Sequence, residues 1–216
     1  MSMPVPPPEP APDGDVLYVE RWNEGRREPI LGCRWLTPDE AAERYRRRRG
    51  DPDAAAGTDQ GDLGDLDVVD ARVRDADGRP RPAWAFGVGF RGVRVQFFTP
   101  GGGSIWREVD YDLRDGRLWR WVTTEYVYPD DERFYRRNRS TRIDTAKLEP
   151  DGTGFVDFND KSKSTVDRAR LTDAPVSGFW LDWPEFGHWE DLTNPDYGLG
   201  ESTGAAGPGP DAERPR

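Results

Sequence analysis

Four turn signals divide the middle of the chain into a series of short β-rich runs. In chain order these signals are Asp77-Gly78, Pro100 with the three glycines after it, Asp115-Gly116 and Asp151-Gly152. An Asp-Gly pair readily adopts the tight turn that joins adjacent antiparallel strands. Because the connections are so short, we expect each run to pair with its neighbour in the chain. The pattern predicts an antiparallel, twisted meander from Leu66 onward.

Two further β-rich runs lie near the N-terminus, at residues 16–22 (VLYVERW) and 30–35 (ILGCRW). The glycine and charged residues between them predict a hairpin. A later segment, 130–139 (DDERFYRRNR), is rich in arginine and is expected to form a helical turn or a long loop between two strands.

The sequence predicts one helix and indicates where it begins and where it ends. Thr37 is the expected N-cap and Glu40 completes a capping box, in which each side chain accepts a hydrogen bond from the other residue's backbone N–H. Leu36 and Ala41 have the spacing of a hydrophobic staple. The helix is expected to end near Arg49, in a last turn of arginines that suits the negative end of the helix dipole. Together with the sheet, this helix predicts an α+β fold.

The domain organisation follows from where apolar residues are scarce. Residues 1–14 are proline-rich and residues 200–216 are rich in glycine and proline, so neither stretch can offset the entropy of ordering and both are predicted to be disordered tails. Residues 51–65 (DPDAAAGTDQGDLGD) are acidic and glycine-rich and are expected to form a mobile loop. The remainder, 15–199, is predicted to be one domain.

The charge balance restricts the classes of partner. The chain has 41 acidic and 31 basic residues and a formal net charge of −10. Since proteins that neutralise nucleic-acid phosphates are usually basic, we expect a basic protein partner and no nucleic acid. Cys33 is the only cysteine, so no intramolecular disulfide can form. The N-terminus does not resemble a signal peptide and no apolar run has membrane length, so a cytoplasmic location without a membrane partner is expected.

Several short patterns lack the context that their chemistry requires. Ser104 follows three glycines (GGGSIW) but does not precede a helix, as the nucleophile of a hydrolase would. The G-x-G-x-x-G match at 87–92 (GVGFRG) precedes a strand-like run, so its glycines are expected to mark a twist or a close approach within the sheet. The alternating acids of 110–116 (DYDLRDG) lack the remaining ligands of a calcium loop. We therefore predict no catalytic residue, no metal ligand and no cofactor.

One segment near the C-terminus concentrates aromatic and acidic side chains. Residues 179–192 (FWLDWPEFGHWEDL) include three tryptophans, two phenylalanines, four carboxylates and the only histidine. We expect Phe179, Trp180 and Phe186 to anchor the segment to the sheet, and the carboxylates to face solvent because their unpaired burial is costly. Tryptophan beside acids is typical of interface anchors. The predicted binding residues are Asp182, Trp183, Glu185, His188, Trp189, Glu190 and Asp191.

The expected function is binding of a protein rather than catalysis. In size, acidity and composition the chain resembles the bacterial immunity proteins that neutralise polymorphic toxins, although no stretch matches a family motif. The resemblance implies a basic toxin as the partner. Two alternatives stay open: a barrel or cup that binds a small ligand in a pocket lined by Trp106, Trp119 and Trp121, and an enzyme that uses paired carboxylates. The sequence does not indicate an oligomeric state.

Overall fold

The computed structural model describes residues 10–50, 65–89 and 91–199 of the 216-residue chain. The predicted tails and the predicted acidic loop fall outside these ranges, except for residues 10–14 and residue 65. Within residues 10–14, the carbonyl oxygens of Pro12 and Gly14 accept hydrogen bonds from the Nη2 atom of Arg74, at 2.7 and 3.2 Å.

The described residues form thirteen strands and one α-helix. In chain order these elements are β1 (Val16–Val19), β2 (Trp22–Asn23), β3 (Glu28–Pro29), β4 (Trp35–Leu36), α1 (Pro38–Gly50), β5 (Asp67–Asp70), β6 (Trp84–Gly89), β7 (Gly92–Phe98), β8 (Ile105–Arg114), β9 (Arg117–Val127), β10 (Arg142–Leu148), β11 (Gly154–Asp160), β12 (Asp167–Leu171) and β13 (Trp180–Asp182). Single 3₁₀ turns occur at Arg137–Arg139 and Ser177–Phe179.

Eleven of the strands form one antiparallel sheet, in the order β12-β11-β10-β9-β8-β7-β6-β5-β1-β4 with β13 added beside β9. From β5 to β12 every strand pairs with the next one along the chain, which confirms the predicted meander. The turn between β8 and β9 illustrates the cause: Asp115 and Gly116 both have positive φ angles, 49° and 77°. This conformation matches the twist of the two strands, and Asp-Gly adopts it at low cost.

The helix begins as predicted. The Glu40 carboxylate accepts a hydrogen bond from the Thr37 backbone N–H at 2.9 Å, and the Thr37 hydroxyl accepts one from the Glu40 N–H at 3.3 Å. Leu36 and Ala41 are both buried in one apolar cluster, as a hydrophobic staple requires. The α+β fold, with one helix and a large antiparallel sheet, is confirmed.

The N-terminal strands differ in detail from the predicted hairpin. β1 does pair with β4, with Tyr18 opposite Leu36, but residues 30–34 are not a strand. The Cys33 N–H donates to the Ile30 carbonyl at 2.8 Å and Gly32 has a φ angle of 88°, so the chain turns there instead of extending. β2 and β3, which precede this turn, pair with each other in a separate two-stranded sheet.

Each face of the sheet is covered by a different part of the chain. Successive side chains of a strand point to opposite faces, and in β6 Phe86 belongs to one apolar cluster and Ala85 to another. The Phe86 cluster includes residues of α1 and of the segment 181–192, so these two elements cover the first face. The Ala85 cluster includes Trp22 and Trp35. The β2–β3 hairpin therefore packs on the second face.

Strands β10, β11 and β12 extend the sheet beyond these two covers. Of their residues only Leu148 is buried. Side-chain pairs across the strands take the place of a core: the Arg168 guanidinium contacts the Asp157 carboxylate through two hydrogen bonds and lies 4.1 Å from the centroid of the Phe155 ring. Pairs of this kind stabilise strands in which few side chains are buried.

Candidate functional site

The segment 179–192 crosses the first face of the sheet after pairing with β9. In the β9–β13 ladder Trp180 lies opposite Trp119 and Asp182 opposite Arg117. The rings of Trp180 and Phe179 lie 4.9 and 5.8 Å from that of Trp119, which is fully buried. These contacts fix the direction in which the segment enters the first face.

Two of the predicted binding residues, Trp183 and Trp189, lie in the core. Their exposed fractions are 7% and 4%, and their rings lie 6.3 and 5.1 Å from the ring of Tyr45 on α1. The Tyr45 hydroxyl also donates a 2.7 Å hydrogen bond to the carbonyl oxygen of Pro184. Since both indoles join the segment to the helix, they hold the surrounding surface in place.

The other predicted binding residues are at the surface. Asp182, Glu185, His188, Glu190 and Asp191 are all exposed. Asp182 forms a 2.6 Å ion pair with Arg117. The side chains of Glu185, Glu190 and Asp191 form no ion pair and no hydrogen bond with residues that the structure describes. These three carboxylates are thus available to an external cation.

An aromatic cleft opens beside Glu190, between the sheet and the C-terminal segment. Its volume is about 730 Å³. Five aromatic side chains line it: Trp84, Phe97, Phe98, Trp106 and Trp189. Trp106 is the half-buried member of the set, and the other four are buried. A cleft of this size and composition can accept one flat or aliphatic group.

Charged groups lie on the rim of the aromatic cleft. Glu190 lines one side, and Arg72 lines another, where its Nε donates to the buried carboxylate of Asp70 at 2.7 Å. The Arg107 guanidinium lies 4.6 Å from the centroid of the Trp106 ring. Arg72 and Arg107 already form ion pairs with carboxylates. Glu190 is therefore the charged group at the cleft that has no ion-pair partner among the described residues.

Two arginines of the central strands, Arg107 and Arg120, hold the end of the C-terminal segment, and no pattern in the sequence indicates this role. Arg107 donates to the carbonyl of Pro195 at 2.8 Å and to the carboxylate of Asp196 at 2.7 Å. Arg120 is buried and donates to the carbonyl of Tyr197 at 2.6 Å. Burial lowers the pKa of the Arg120 guanidinium, and the hydrogen bonds that it donates to backbone carbonyls offset part of the desolvation cost.

A polar groove lies on the second face, at the end of the sheet where β6 turns into β7. It has a volume of about 860 Å³, and Arg94, Asp110, Asp67 and Trp121 are among the residues that line it. Arg94 and Asp110 form a 2.6 Å ion pair within it. Trp119 is buried, Trp121 lines this groove and Trp106 lines the aromatic cleft, so these three indoles do not surround one common pocket.

The glycine-rich motifs have structural roles. The Ser104 hydroxyl is buried, accepts a hydrogen bond from the Tyr135 N–H at 2.7 Å and donates to the Arg133 carbonyl at 3.3 Å. At Gly92 a Cβ atom would lie 1.8 Å from the carbonyl oxygen of Tyr111. The glycines of the G-x-G-x-x-G match therefore include one that permits a close approach of two strands, as expected.

Among the residues with described positions, no group of three or more His, Cys, Asp or Glu side chains could hold a metal ion. Nor does the described part of the chain include a helix that is long and apolar enough to cross a membrane. Comparison of the chain with models of protein families finds no match, and neither do comparisons with curated proteins and with solved structures.

Proposed function

We propose that this protein binds a basic protein partner through the aromatic cleft and the exposed carboxylates beside it. The observation that carries the proposal is the position of Glu190, which is exposed, lines the cleft and has no ion-pair partner among the described residues. An apolar cleft next to a free carboxylate suits a lysine or arginine side chain, whose aliphatic stem and charged head need different surroundings.

Shape and charge would contribute to such binding in different ways. The cleft is lined by side chains that the core already holds in place, so an inserted group would not have to order them. Glu185, Glu190 and Asp191 lie at the surface, where they would accelerate the approach of a positively charged partner. The net charge of −10 acts in the same direction.

The more specific form of the proposal is that the partner is a bacterial toxin and that this protein is its immunity protein. The acidity of the chain supports this form, because a basic toxin that acts on nucleic acid presents a cationic surface that an acidic protein can cover. The protein encoded next to this one is the natural candidate for the partner, and co-expression of the two proteins gives the first test.

The test of the binding surface is charge reversal at the cleft. Glu190→Lys should slow association with the partner severalfold at low salt, and the difference should shrink as ionic strength rises. Surface plasmon resonance at several salt concentrations measures both effects. Asp77→Lys is the matched control, since Asp77 is an exposed acid in the turn that precedes β6.

An equal loss of association rate in the Asp77→Lys control would show that only net charge matters and would exclude the cleft. Tight binding of a small aromatic molecule in the cleft, without any protein partner, would replace the proposal by the ligand-binding alternative. Loss of small-molecule turnover on charge reversal would replace it by the enzyme alternative.

A further inference from the structure

A third cavity, on the second face of the sheet, has the opposite electrostatic character. Its volume is about 650 Å³, and it lies between the β2–β3 hairpin and the segment 134–138. Its charged lining residues are three arginines, Arg26, Arg136 and Arg137, and one acid, Glu24. We call this cavity the arginine pocket. Such an excess of positive charge is unusual on a chain whose net charge is −10.

The arginines differ in how far their charge is already matched. Arg137 forms a 2.9 Å ion pair with Glu108 and lies 3.7 Å from Glu24. Arg26 is exposed, and its contact with Glu28 is long, at 3.8 Å. Arg136 is exposed and forms no ion pair or side-chain hydrogen bond with the described residues. The pocket therefore offers one free and one weakly paired guanidinium.

The wall that carries Arg136 is held rigidly. Neighbouring Tyr135 donates its N–H to Ser104, and its ring stacks on that of Tyr128 with a centroid distance of 5.5 Å and an interplanar angle of 10°. Beneath this wall, Cβ atoms at Gly101 and Gly102 would lie 2.4 and 2.0 Å from backbone oxygens of residues 131 and 133. The close packing that these glycines allow holds the guanidinium-bearing segment against the sheet.

The rest of the pocket is apolar and aromatic. Trp22 and Ile105 line it and are buried, while Phe134 is 39% exposed. The Phe134 ring approaches the β2–β3 hairpin, where a Cβ placed on Gly25 would lie 3.6 Å from its Cζ atom. An exposed phenylalanine beside one free and one weakly paired guanidinium group is suited to a ligand that has both a flat ring and a negative charge.

We infer that the arginine pocket binds a small aromatic anion, in which a ring carries a phosphate or carboxylate group. The anion contacts Arg136 and Arg26, and the ring packs on Phe134. A long polyanion such as a nucleic acid is disfavoured, because Asp130, Asp131 and Glu132 directly precede the wall and would repel it. The volume of the pocket lies in the range of small-molecule sites.

The inference is tested by titration of the ¹⁵N-labelled full chain with four probes: phenyl phosphate, benzoate, inorganic phosphate and phenol. Phenyl phosphate or benzoate should shift the backbone amide signals of residues 23–26 and 134–138, and whichever binds more tightly identifies the preferred anionic group. The tighter of phenyl phosphate and benzoate should bind at least about tenfold more tightly than inorganic phosphate or phenol. Inorganic phosphate lacks the ring, and phenol lacks the anionic group.

Two arginine variants localise the site. Arg136→Gln should weaken binding of the aromatic anion about tenfold, through loss of a charge-assisted hydrogen bond. Arg139→Gln is the matched control, because Arg139 is equally exposed and unpaired among the described residues but does not line the pocket; it should change the dissociation constant less than about twofold. The amide spectra report directly whether each variant is folded.

Three results would overturn the inference. One is phenol binding as tightly as phenyl phosphate and benzoate, which would mean that the arginines do not contribute. Another is equal weakening by Arg136→Gln and Arg139→Gln, which would indicate a nonspecific charge effect. The third is the absence of shifts at the pocket amides with all four probes.

Discussion

At the scale of single residues, Asp67 is the described carboxyl group whose pKa lies well above its ordinary value. Burial raises this pKa to about 6, and the nearby Asp65 adds to the effect. The Trp22 N–H, which donates to Asp67 Oδ2 at 2.7 Å, opposes it, as do Arg21 and Arg48. Gly87 lies opposite Asp67 in β6, and a Cβ there would lie only 2.7 Å from the carboxylate. Asp67 thus links the β2–β3 hairpin to the sheet at a cost in desolvation.

The raised pKa predicts how stability changes with pH. Between about pH 4 and pH 6 the folded protein retains a proton on Asp67 that the unfolded chain has already released, so this residue lowers stability as pH rises through that window. Asp67→Asn should remove this fall and raise the unfolding free energy at pH 7 by about 3 kcal/mol at most. Urea unfolding between pH 4.5 and pH 8 measures the difference.

Asp77→Asn, at an exposed acid, is the control for that comparison and should leave the pH profile unchanged. If Asp67→Asn keeps the slope of the parent protein, the carboxyl is ionised in the folded state throughout this range and the desolvation argument fails. Glu40 does not interfere, because its pKa is lowered to about 2 by hydrogen bonds with Arg34 and Thr37, so its contribution changes only below about pH 4.5.

At the scale of elements, the capping box of α1 is the best-defined local device in the chain. Replacement of Thr37 by Ala removes the acceptor for the Glu40 N–H, and it should lower the unfolding free energy by about 1 kcal/mol. Equilibrium denaturation with guanidinium measures this change. Thr172→Ala, at an exposed threonine just after β12, is a control that should have almost no effect. Equal stabilities of the two variants would show that the box does not support the helix.

The elements also show what the sequence could predict. The helix start and the hairpin turns were predictable because their signals are local: a cap, a staple or an Asp-Gly pair requires only a few adjacent residues. The extended strand expected at 30–35 was wrong, since the turn at Gly32 depends on how the hairpin docks on the sheet. Local β propensity does not contain that information.

The candidate site was only partly predictable for a related reason. The exposure of Glu185, Glu190 and Asp191 followed from the cost of burying unpaired charge. The burial of Trp183 and Trp189 against α1 did not follow, because alternation of tryptophan and acid is compatible with either a core or a surface role. Buried Arg120 and raised-pKa Asp67 were missed, since both depend on contacts between residues far apart in the chain.

At the scale of the whole molecule, the two faces of the sheet have different covers and different electrostatic properties. The first face carries α1, the C-terminal segment and the aromatic cleft with the unpaired carboxylate of Glu190. The second carries the β2–β3 hairpin and the arginine pocket. This separation allows the proposed protein partner and the inferred anion to occupy the molecule at the same time without competing for the same residues.

The integrity of the first face depends on Trp189, which contacts both the helix and the sheet. Its ring lies 5.1 Å from Tyr45 on α1 and 5.1 Å from Phe86 on β6, so one side chain joins three elements that are distant in the chain. Trp189→Ala should lower the unfolding free energy by about 3–5 kcal/mol, as expected for removal of a buried tryptophan.

The control is His188→Ala, at the exposed neighbouring position, which should change the unfolding free energy by less than about 0.5 kcal/mol. Urea unfolding followed both by tryptophan fluorescence and by far-ultraviolet circular dichroism measures these changes. A large loss for Trp189→Ala in the fluorescence transition alone, with the dichroism transition unchanged, would mean that the C-terminal segment unfolds separately and that the aromatic cleft is not built into the core.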